Sequence, residues 1–216
     1  MDQSLKKKGR PLSFDRNEAL YKAMLLFWKY GYEATSLSEL TATLGVKPSS
    51  IYSAFGDKKG LFLDAVGLYL SGPVTSESII EQAASAHDAA RELLRVSAFG
   101  FTGAETPPGC LLASSAISCS DAATDVKLEL AAIRHAVEAH LRAKILQSIQ
   151  FKQLPDDTDA EALAGMVMAV IQGMSTLARD GAPREKLLRV ADTAMRCWPA
   201  GGSAVAQRPL AASGAI

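Results

Sequence analysis

The chain has 216 residues, of which 48% are hydrophobic and 21% are charged, and its formal net charge is zero. This composition supports a packed core of one small and one medium domain, and nothing about it suggests a disordered chain. The net charge is unevenly distributed along the chain. Residues 1–60 carry ten Lys and Arg against six Asp and Glu, whereas residues 61–216 carry thirteen Lys and Arg against seventeen Asp and Glu. The amino-terminal part is therefore the part suited to an anionic partner such as nucleic acid.

Residues 1–13 are predicted to form a basic arm ahead of the first helix. Lys6, Lys8 and Arg10 lie close together around Gly9. Arms of this composition lie in a minor groove of DNA in some proteins and are solvated tails in others. The sequence leaves both alternatives open.

Residues 14–56 are predicted to form three short helices, the last two joined by a tight turn. Ser36 and Glu39 make an S-x-x-E capping box, in which side chains satisfy the free amides at a helix start. Gly45 is expected to end this helix, because a residue without a Cβ enters the left-handed conformation at little cost. Pro48 suits the first turn of the next helix, where its missing N–H is not needed. This order of signals predicts a helix-turn-helix unit.

The third of these helices is predicted to present small hydroxyl groups and a cation to the outside. Ile51 and Phe55, four residues apart, mark its buried face, so that the serines point away from the core. Small polar side chains beside a cation allow a helix to lie deep in the major groove and to contact base edges. The candidate DNA contacts in and around the unit are Ser36, Lys47, Pro48, Ser49, Ser50 and Ser53.

Beyond this unit the chain keeps helical spacing and shows no convincing strand pattern. Residues 57–72 predict a linking helix, which Gly72-Pro73 stops. Residues 73–200 are predicted to form a larger helical bundle, and residues 201–216 have the composition of a frayed tail. The predicted fold class is all-α. The helices expected in the larger domain cover residues 75–101, a short piece after Pro108, and residues 121–151, 156–179 and 183–198.

The order and spacing of residues between Phe14 and about Tyr69 resemble the N-terminal signature of the TetR family of bacterial repressors. A match at so many positions is far more specific than a generic helix-turn-helix pattern. The resemblance implies an all-helical homodimer whose N-terminal domains bind double-stranded DNA at a palindromic operator. It also implies a C-terminal domain that dimerises and binds a small-molecule inducer. The matching residues are Phe27, Gly31, Tyr32, Thr35, Ser36, Leu40, Gly45, Val46, Ile51, Tyr52, Phe55, Lys58 and Leu61.

The resemblance also assigns roles to single residues and helices. Thr35, Tyr52 and Lys58 match family positions where a hydroxyl or an ammonium contacts the phosphate backbone, although capping and core packing are alternatives for the first two. The helix over residues 57–72 would act as a lever on the separation of the two reading helices. The small residues of the 156–179 helix, together with the last helix, are the expected dimer interface, with core packing as the alternative.

Cys110 is the sharpest candidate for chemistry in the second domain. It lies in the segment PPGCLLASSA, where we expect it in the first turn of a helix, and the positive end of a helix dipole favours the reactive thiolate. The GCLL segment resembles that of a TetR-family subgroup, including a repressor sensitive to N-ethylmaleimide, in which this cysteine senses reactive carbonyl or chlorine species. The alternative is a small buried apolar residue, the commonest fate of a free cysteine.

The sequence carries no pattern for catalysis, a metal or a cofactor. His87, His135 and His140 do not have the spacing of metal ligands, and there is no G-x-S-x-G elbow, P-loop or dinucleotide fingerprint. We therefore expect that the protein is not an enzyme.

Three functional hypotheses remain. The leading one is a repressor released by a small molecule in a pliable pocket lined by Met166, Val170 and Met174, although residues of this kind are more often plain core. The first alternative is a redox or electrophile sensor that acts through Cys110. The second is a helical carrier or enzyme that uses the cavity of the second domain.

The cysteines and the apolar runs predict where the protein works. Cys110, Cys119 and Cys197 are too few and too scattered for a disulfide framework and fit a reducing cytosol. The longest uncharged apolar stretch, residues 162–171, is far shorter than the ~20 residues that cross a bilayer. We expect a cytoplasmic protein without a membrane anchor.

Overall fold

The computed structural model describes residues 14–115 and 120–200. These parts of the chain contain ten α-helices, one short 3₁₀ turn and no β-strand. The prediction of an all-α fold is confirmed. The basic arm, Cys119 and the C-terminal tail lie outside the described residues. The helices are α1 (Arg16–Tyr30), α2 (Leu37–Leu44), α3 (Pro48–Phe55), α4 (Lys58–Leu70), α5 (Ser76–Gln82), α6 (Ala86–Gly100), α7 (Leu111–Ser114), the 3₁₀ turn (Asp121–Ala123), α8 (Thr124–Gln150), α9 (Ala160–Arg179) and α10 (Arg184–Arg196).

Helices α1 to α4 share one hydrophobic core and together form what we call the head. Phe27 of α1 is fully buried and meets Phe62 of α4 edge to face, with ring centroids 5.1 Å apart. The helix-turn-helix elements add Leu40 from α2 and Ile51 from α3, both fully buried. Because Leu61 and Phe62 belong to the same cluster, α4 is part of the head's core as well as its link to the rest.

The ends of the head helices form as the sequence predicts. Ser36 and Glu39 close a reciprocal capping box at the start of α2, and Gly45 ends the helix in the left-handed conformation with φ 66° and ψ 30°. Pro48 is the first residue of α3, and Gly56 follows the helix with φ 83°. Local signals therefore set the ends of both helices of the reading unit.

The close approach of α3 and α4 depends on Gly60 in the first turn of α4. A Cβ at this position would clash with the backbone carbonyl oxygen of Phe55 at the end of α3. The carboxylate of Asp57 accepts the amide of Gly60 at 2.7 Å and so starts α4. The turn between the two helices sets the angle between α3 and α4 within the head.

The second domain has its own core, formed by α5, α6, α8, α9 and α10. Leu94, Leu141, Met174 and Leu187 from four of these helices are fully buried in it. The two cores meet around α7 and the start of α8, where four buried residues join the core of the head instead. These are Leu111, Leu112, Val126 and Leu130.

Two predicted helices of the second domain have different bounds in the structure. The prediction of one helix over residues 75–101 is wrong, because the chain is extended at Ala83 (φ −65°, ψ 139°) and Ser85 starts α6 by accepting the amide of Asp88. A serine at an N-cap offers the backbone an alternative to helix continuation. Helix α9 begins later than the predicted residue 156, because the Asp159 carboxylate caps it.

We predict that Gly60→Ala lowers the free energy of unfolding by about 2 kcal/mol or more, because the backbone of α3 or α4 must shift to admit the methyl group. Gly67→Ala in the same helix is the matched control, since nothing lies within 4 Å of its added Cβ. We expect this variant to be neutral or up to ~1 kcal/mol more stable, since alanine is the better helix former. Urea unfolding of both proteins measures the difference, and equal stabilities would contradict the role given to Gly60.

Candidate nucleic-acid interface

The exposed face of α3 carries the candidate base contacts together. Lys47, Pro48, Ser49 and Ser53 are exposed, and Ser50 is half-buried. Ser49 and Ser53 are four residues apart, so they lie one above the other on the same side of the helix. This face is polar, and its serine side chains are small enough for the helix to lie deep in a major groove.

Tyr52 lies on the outer side of α3, and 51% of its surface is exposed. A phenol hydroxyl both donates and accepts hydrogen bonds, and at the rim of a groove its length suits a phosphate oxygen. The alternative of core packing is not supported by this exposure. Tyr52 is accessible from outside, and its phosphate contact stays a prediction.

Thr35 lies inside the head and not on its outer surface. Its exposed fraction is 0%, and its hydroxyl donates to the carbonyl oxygen of Gly31 at 2.7 Å. This bond ties the end of α1 to the start of α2. The phosphate contact predicted for Thr35 is therefore corrected to a structural role, because a buried and engaged hydroxyl does not reach DNA.

Ser36 and Lys58 are engaged by neighbours within the head. The Ser36 hydroxyl accepts the amide of Glu39 at 3.1 Å and donates to its carboxylate at 2.8 Å. The Lys58 ammonium donates to the carbonyl oxygen of Glu33 at 3.4 Å and lies 4.7 Å from the centre of the Tyr32 ring. Partial burial lowers the pKa of Lys58, against the opposing effect of Glu33 and Glu39. An ammonium has three donors, so Lys58 retains capacity for a phosphate.

The C-terminal end of α1 is fastened to the second domain. The indole N–H of Trp28 donates to the carbonyl oxygen of Gly109 at 3.0 Å. The amide N–H of Tyr32 donates to the carbonyl oxygen of Ser115 at 3.2 Å. Trp28 also packs edge to face on Tyr69 of α4, with centroids 4.9 Å apart. The segment around α7 thereby contacts both long helices of the head.

A second fastening joins the head to the start of α8. The Glu33 carboxylate accepts hydrogen bonds from the amide and the hydroxyl of Ser120, and the Lys59 ammonium pairs with Asp125 in the first turn of α8. The side-chain and backbone bonds from Ser120 hold the pKa of Glu33 below its ordinary value. These pairs join groups 87 and 66 residues apart in the sequence, which local patterns do not reveal.

Cys110 is the N-cap residue of α7, a helix of four residues, and not part of its first turn as predicted. Its side chain is half-buried, and the phenol of Tyr69 donates to Sγ at 3.4 Å. Burial first, and the neighbouring thiol second, raise the pKa of Tyr69 well above its ordinary value, so the phenol keeps its proton. The Cys110 amide donates to the hydroxyl of Ser175 in α9 at 2.8 Å. The thiol therefore lies where α4, α7 and α9 meet.

Two family models match the chain, one over the head and one over the second domain. Bacterial regulatory proteins of the tetR family match residues 20–65, and the tetracyclin repressor-like C-terminal domain matches residues 79–193. The HTH-type transcriptional repressor ComR of Escherichia coli (strain K12) is 36% identical over 197 residues, which cover 90% of this chain and 93% of that protein. The chain belongs to the TetR family.

Solved structures of TetR-family proteins have the same architecture. A cysteine mutant of the regulator CifR, complexed with 26bp double-strand operator DNA, is 39% identical and superposes with a TM-score of 0.83 over 88% of this chain and 100% of that chain. A TetR regulator from Rhodococcus sp. RHA1 is 33% identical, with a TM-score of 0.59 over 86% of this chain and 100% of that one. The TetR family consists of DNA-binding transcription regulators and not of enzymes, so the predicted class of function is confirmed.

The residues proposed to line a ligand pocket of this TetR-family protein lie in different surroundings. Met174 is fully buried in the core of the second domain, and Val170 is half-buried beside it. Met166 borders an open groove of about 410 Å³ next to Leu163 and Pro199. All three side chains contact the core of the second domain, and a pocket lined by them stays a prediction. Within residues 14–115 and 120–200, no group of three or more His, Cys, Asp and Glu side chains is arranged for a metal ion.

Sequence reasoning missed the residues that fasten the head. Trp28 and Gly109 carry the bond between α1 and the segment before α7, yet the sequence marks them only as an apolar residue and a loop glycine. The signal that was available is weak: Gly109 follows two prolines, and its φ is 82° in the structure. A positive φ at a loop glycine indicates a backbone constraint, but the partner of that constraint is a matter of tertiary structure.

We predict that the stabilising effect of Glu33 is lost in acid. Its pKa in the folded protein lies below the ordinary 4.5, so the ionised carboxylate contributes stability fully above pH 4.5, and this contribution disappears as the pH falls through the folded-state pKa. The free energies of unfolding of wild type and Glu33→Gln should therefore converge in acid. Urea unfolding across the pH range measures the difference, with Glu105→Gln in an exposed loop as the control. A difference that stays constant down to about pH 3 would refute the assignment.

Proposed function

We propose that this protein is a homodimeric repressor that binds a palindromic operator through α3 of each copy. The proposal is supported by the exposed face of α3 and by two similar proteins, since ComR is named a repressor and the CifR structure holds operator DNA. Lys47, Ser49 and Ser53 contact base edges, with Ser50 beside them, and Tyr52 contacts a phosphate at the rim.

The contact extends beyond α3 in two directions. Lys58, at the start of α4, reaches a second phosphate with the donors that its contact to Glu33 leaves over. The arm residues Lys6, Lys8 and Arg10, which lie outside the described residues, add positive charge for a neighbouring minor groove. Pro48 and Ser36 shape the approach of the two helices rather than read bases, because one begins α3 and the other caps α2.

The dimer forms through α9, supported by α10. Ala162, Ala169, Gly173 and Thr176 lie on one side of α9 and are exposed in the single chain. Among the described helices, α9 alone is long and apolar enough to cross a membrane, with a mean hydropathy of 1.3 over 18 residues. The core helix of a soluble protein can be equally long and apolar, and 39% of this 18-residue stretch is buried in the single chain. A second copy packed on the small residues covers the rest of the helix.

We also propose that the protein works in the cytoplasm and responds to a small molecule. A regulator that binds operator DNA has to reach the chromosome, which lies in that compartment of a bacterium. The segment from Gly109 to Ser115 contacts α1, α4 and α9, so a ligand that displaces it changes the position of both long helices of the head. An inducer acts only if it binds the released conformation more tightly than the DNA-bound one.

A second candidate function is electrophile sensing through Cys110. The observation that favours it is the bond between Tyr69 of α4 and the sulfur of Cys110, because α4 is the lever of the head. Addition of a maleimide forms a bond between Sγ and a ring carbon, and the thiol proton ends on the adjacent carbon. The adduct fills the space of the Tyr69 contact and displaces α4 from α7.

The operator prediction is tested by selecting bound fragments from random DNA. We expect an inverted repeat, and a log–log plot of affinity against salt with a slope of about −5 to −9, because each neutralised phosphate contributes about −0.9. Tyr52→Phe should weaken binding about tenfold for all operator variants alike, since it removes a phosphate contact and no base contact. Tyr30→Phe is the matched control, because both tyrosines are 51% exposed. Salt-insensitive binding without sequence preference would reject the repressor function and favour a carrier.

The sensor alternative predicts that N-ethylmaleimide releases the wild-type protein from its operator and leaves Cys110→Ser bound. Cys197→Ser, which removes an exposed cysteine, should respond like wild type. Fluorescence anisotropy of a labelled operator follows the release, and mass spectrometry identifies the alkylated residue. Release of Cys110→Ser to the wild-type extent would eliminate the sensor function.

A further inference from the structure

The last turn of α1 leaves carbonyl groups that the helix cannot satisfy by itself. Two of them accept hydrogen bonds from one side chain of the second domain. The guanidinium of Arg179 donates through Nη1 to the carbonyl oxygen of Trp28 at 3.1 Å and through Nη2 to that of Lys29 at 2.9 Å. Arg179 is the last residue of α9, 150 positions away from Lys29 in the sequence.

The stem of Arg179 passes over Gly109. A Cβ on Gly109 would lie 2.9 Å from Cγ of Arg179 and 2.8 Å from the carbonyl oxygen of Ser175, and Gly109 has a φ of 82°. The same glycine accepts the indole N–H of Trp28. Trp28, Gly109 and Arg179 thus form one joint, in which α1, the segment before α7 and the end of α9 meet.

This joint gives α9 a direct contact with the head. The pairs Glu33 with Ser120 and Lys59 with Asp125 connect the head to the start of α8 instead, and the bonds of Tyr32 and Tyr69 connect it to the segment around α7. Helix α9 is also the helix on which the second copy packs in the proposed dimer. A planar guanidinium that spans two carbonyls fixes orientation as well as distance, which a single bond does not.

We propose that Arg179 is a positioning residue for operator binding, which transmits the geometry of the dimer interface to α1 and so fixes the separation of the two reading helices. This inference rests on the proposed function as a dimeric operator-binding protein. Half-sites must match that separation to about one helical turn of DNA or a multiple. Arg179 therefore acts on the spacing that the protein accepts, and not on the bases that it reads.

The role is separable from a purely structural one. Arg179 is exposed, and water can satisfy the two carbonyl groups when the guanidinium is removed. The core of the head and the fastenings to α8 remain in the variant. We therefore expect Arg179→Ala to fold with a thermal unfolding midpoint close to that of wild type, while its discrimination between operator spacings changes.

The test compares affinities for the selected operator and for versions with base pairs inserted or removed at its centre. For wild type the ratio of affinities between the native and altered spacings should be large. In Arg179→Ala this ratio should fall about tenfold, within the range of couplings between sites. Arg179→Lys should restore part of it, since an ammonium can bond to these carbonyls but lacks the planar fork.

Arg184→Ala is the matched control. Its guanidinium also bonds to a carbonyl, that of Thr102 at 3.1 Å, but within the second domain. A wild-type ratio in Arg184→Ala and a reduced one in Arg179→Ala would support the inference, and equal ratios in these two variants would overturn it. Should Arg179→Ala fail to fold, Arg179→Lys decides: a wild-type ratio with this variant overturns the inference. A wild-type protein without any spacing preference would overturn the proposed function and the inference together.

Discussion

The packing of α1 is the constraint on which the other parts of the molecule depend. One face of this helix forms the centre of the head, where Phe27 meets Phe62 edge to face. Its C-terminal end lies against the second domain, where Trp28 donates to Gly109. Helix α3 has no comparable anchorage of its own, because it is a helix of eight residues with two buried side chains, Ile51 and Phe55. The reading helix therefore takes its position from α1 and α4.

The interactions that hold this arrangement differ in strength. An aromatic pair such as Phe27 with Phe62 contributes about 0.5–1.5 kcal/mol beyond its buried area. Ion pairs that are accessible to solvent contribute about 0–1 kcal/mol in general. The pair of Lys59 with Asp125, which joins the head to the second domain, is accessible to solvent. The head is thus stabilised by its core, whereas the polar contacts at its border with the second domain mainly set orientation. In the proposed function, contacts of this strength are weak enough to be broken by a bound ligand or a modified thiol.

Local signals in the sequence predicted most of the head and less of the second domain. Ser36, Gly45 and Pro48 fix helix ends through their own backbone preferences, so their roles can be read from spacing alone. Ser85 acts through a local preference too, but an N-cap inside a long apolar pattern is hidden by the periodicity around it. The family resemblance implies a contact between Thr35 and a DNA phosphate, but the fold buries this residue. Arg179 could not be predicted, because its partners lie 150 and 151 residues away, and a basic residue at a helix end is usually only a match to the helix dipole.

The central claim is that α3 of each copy, held by α1 and α4, lies in the major groove of an inverted repeat. Methylation interference on the selected operator tests this most directly, because dimethyl sulfate modifies guanine N7 in the major groove and adenine N3 in the minor groove. The account predicts interference from guanine N7 in two symmetric clusters, about ten base pairs or a multiple of one helical turn apart. Interference from adenine N3 alone, or a single cluster without twofold symmetry, would contradict it.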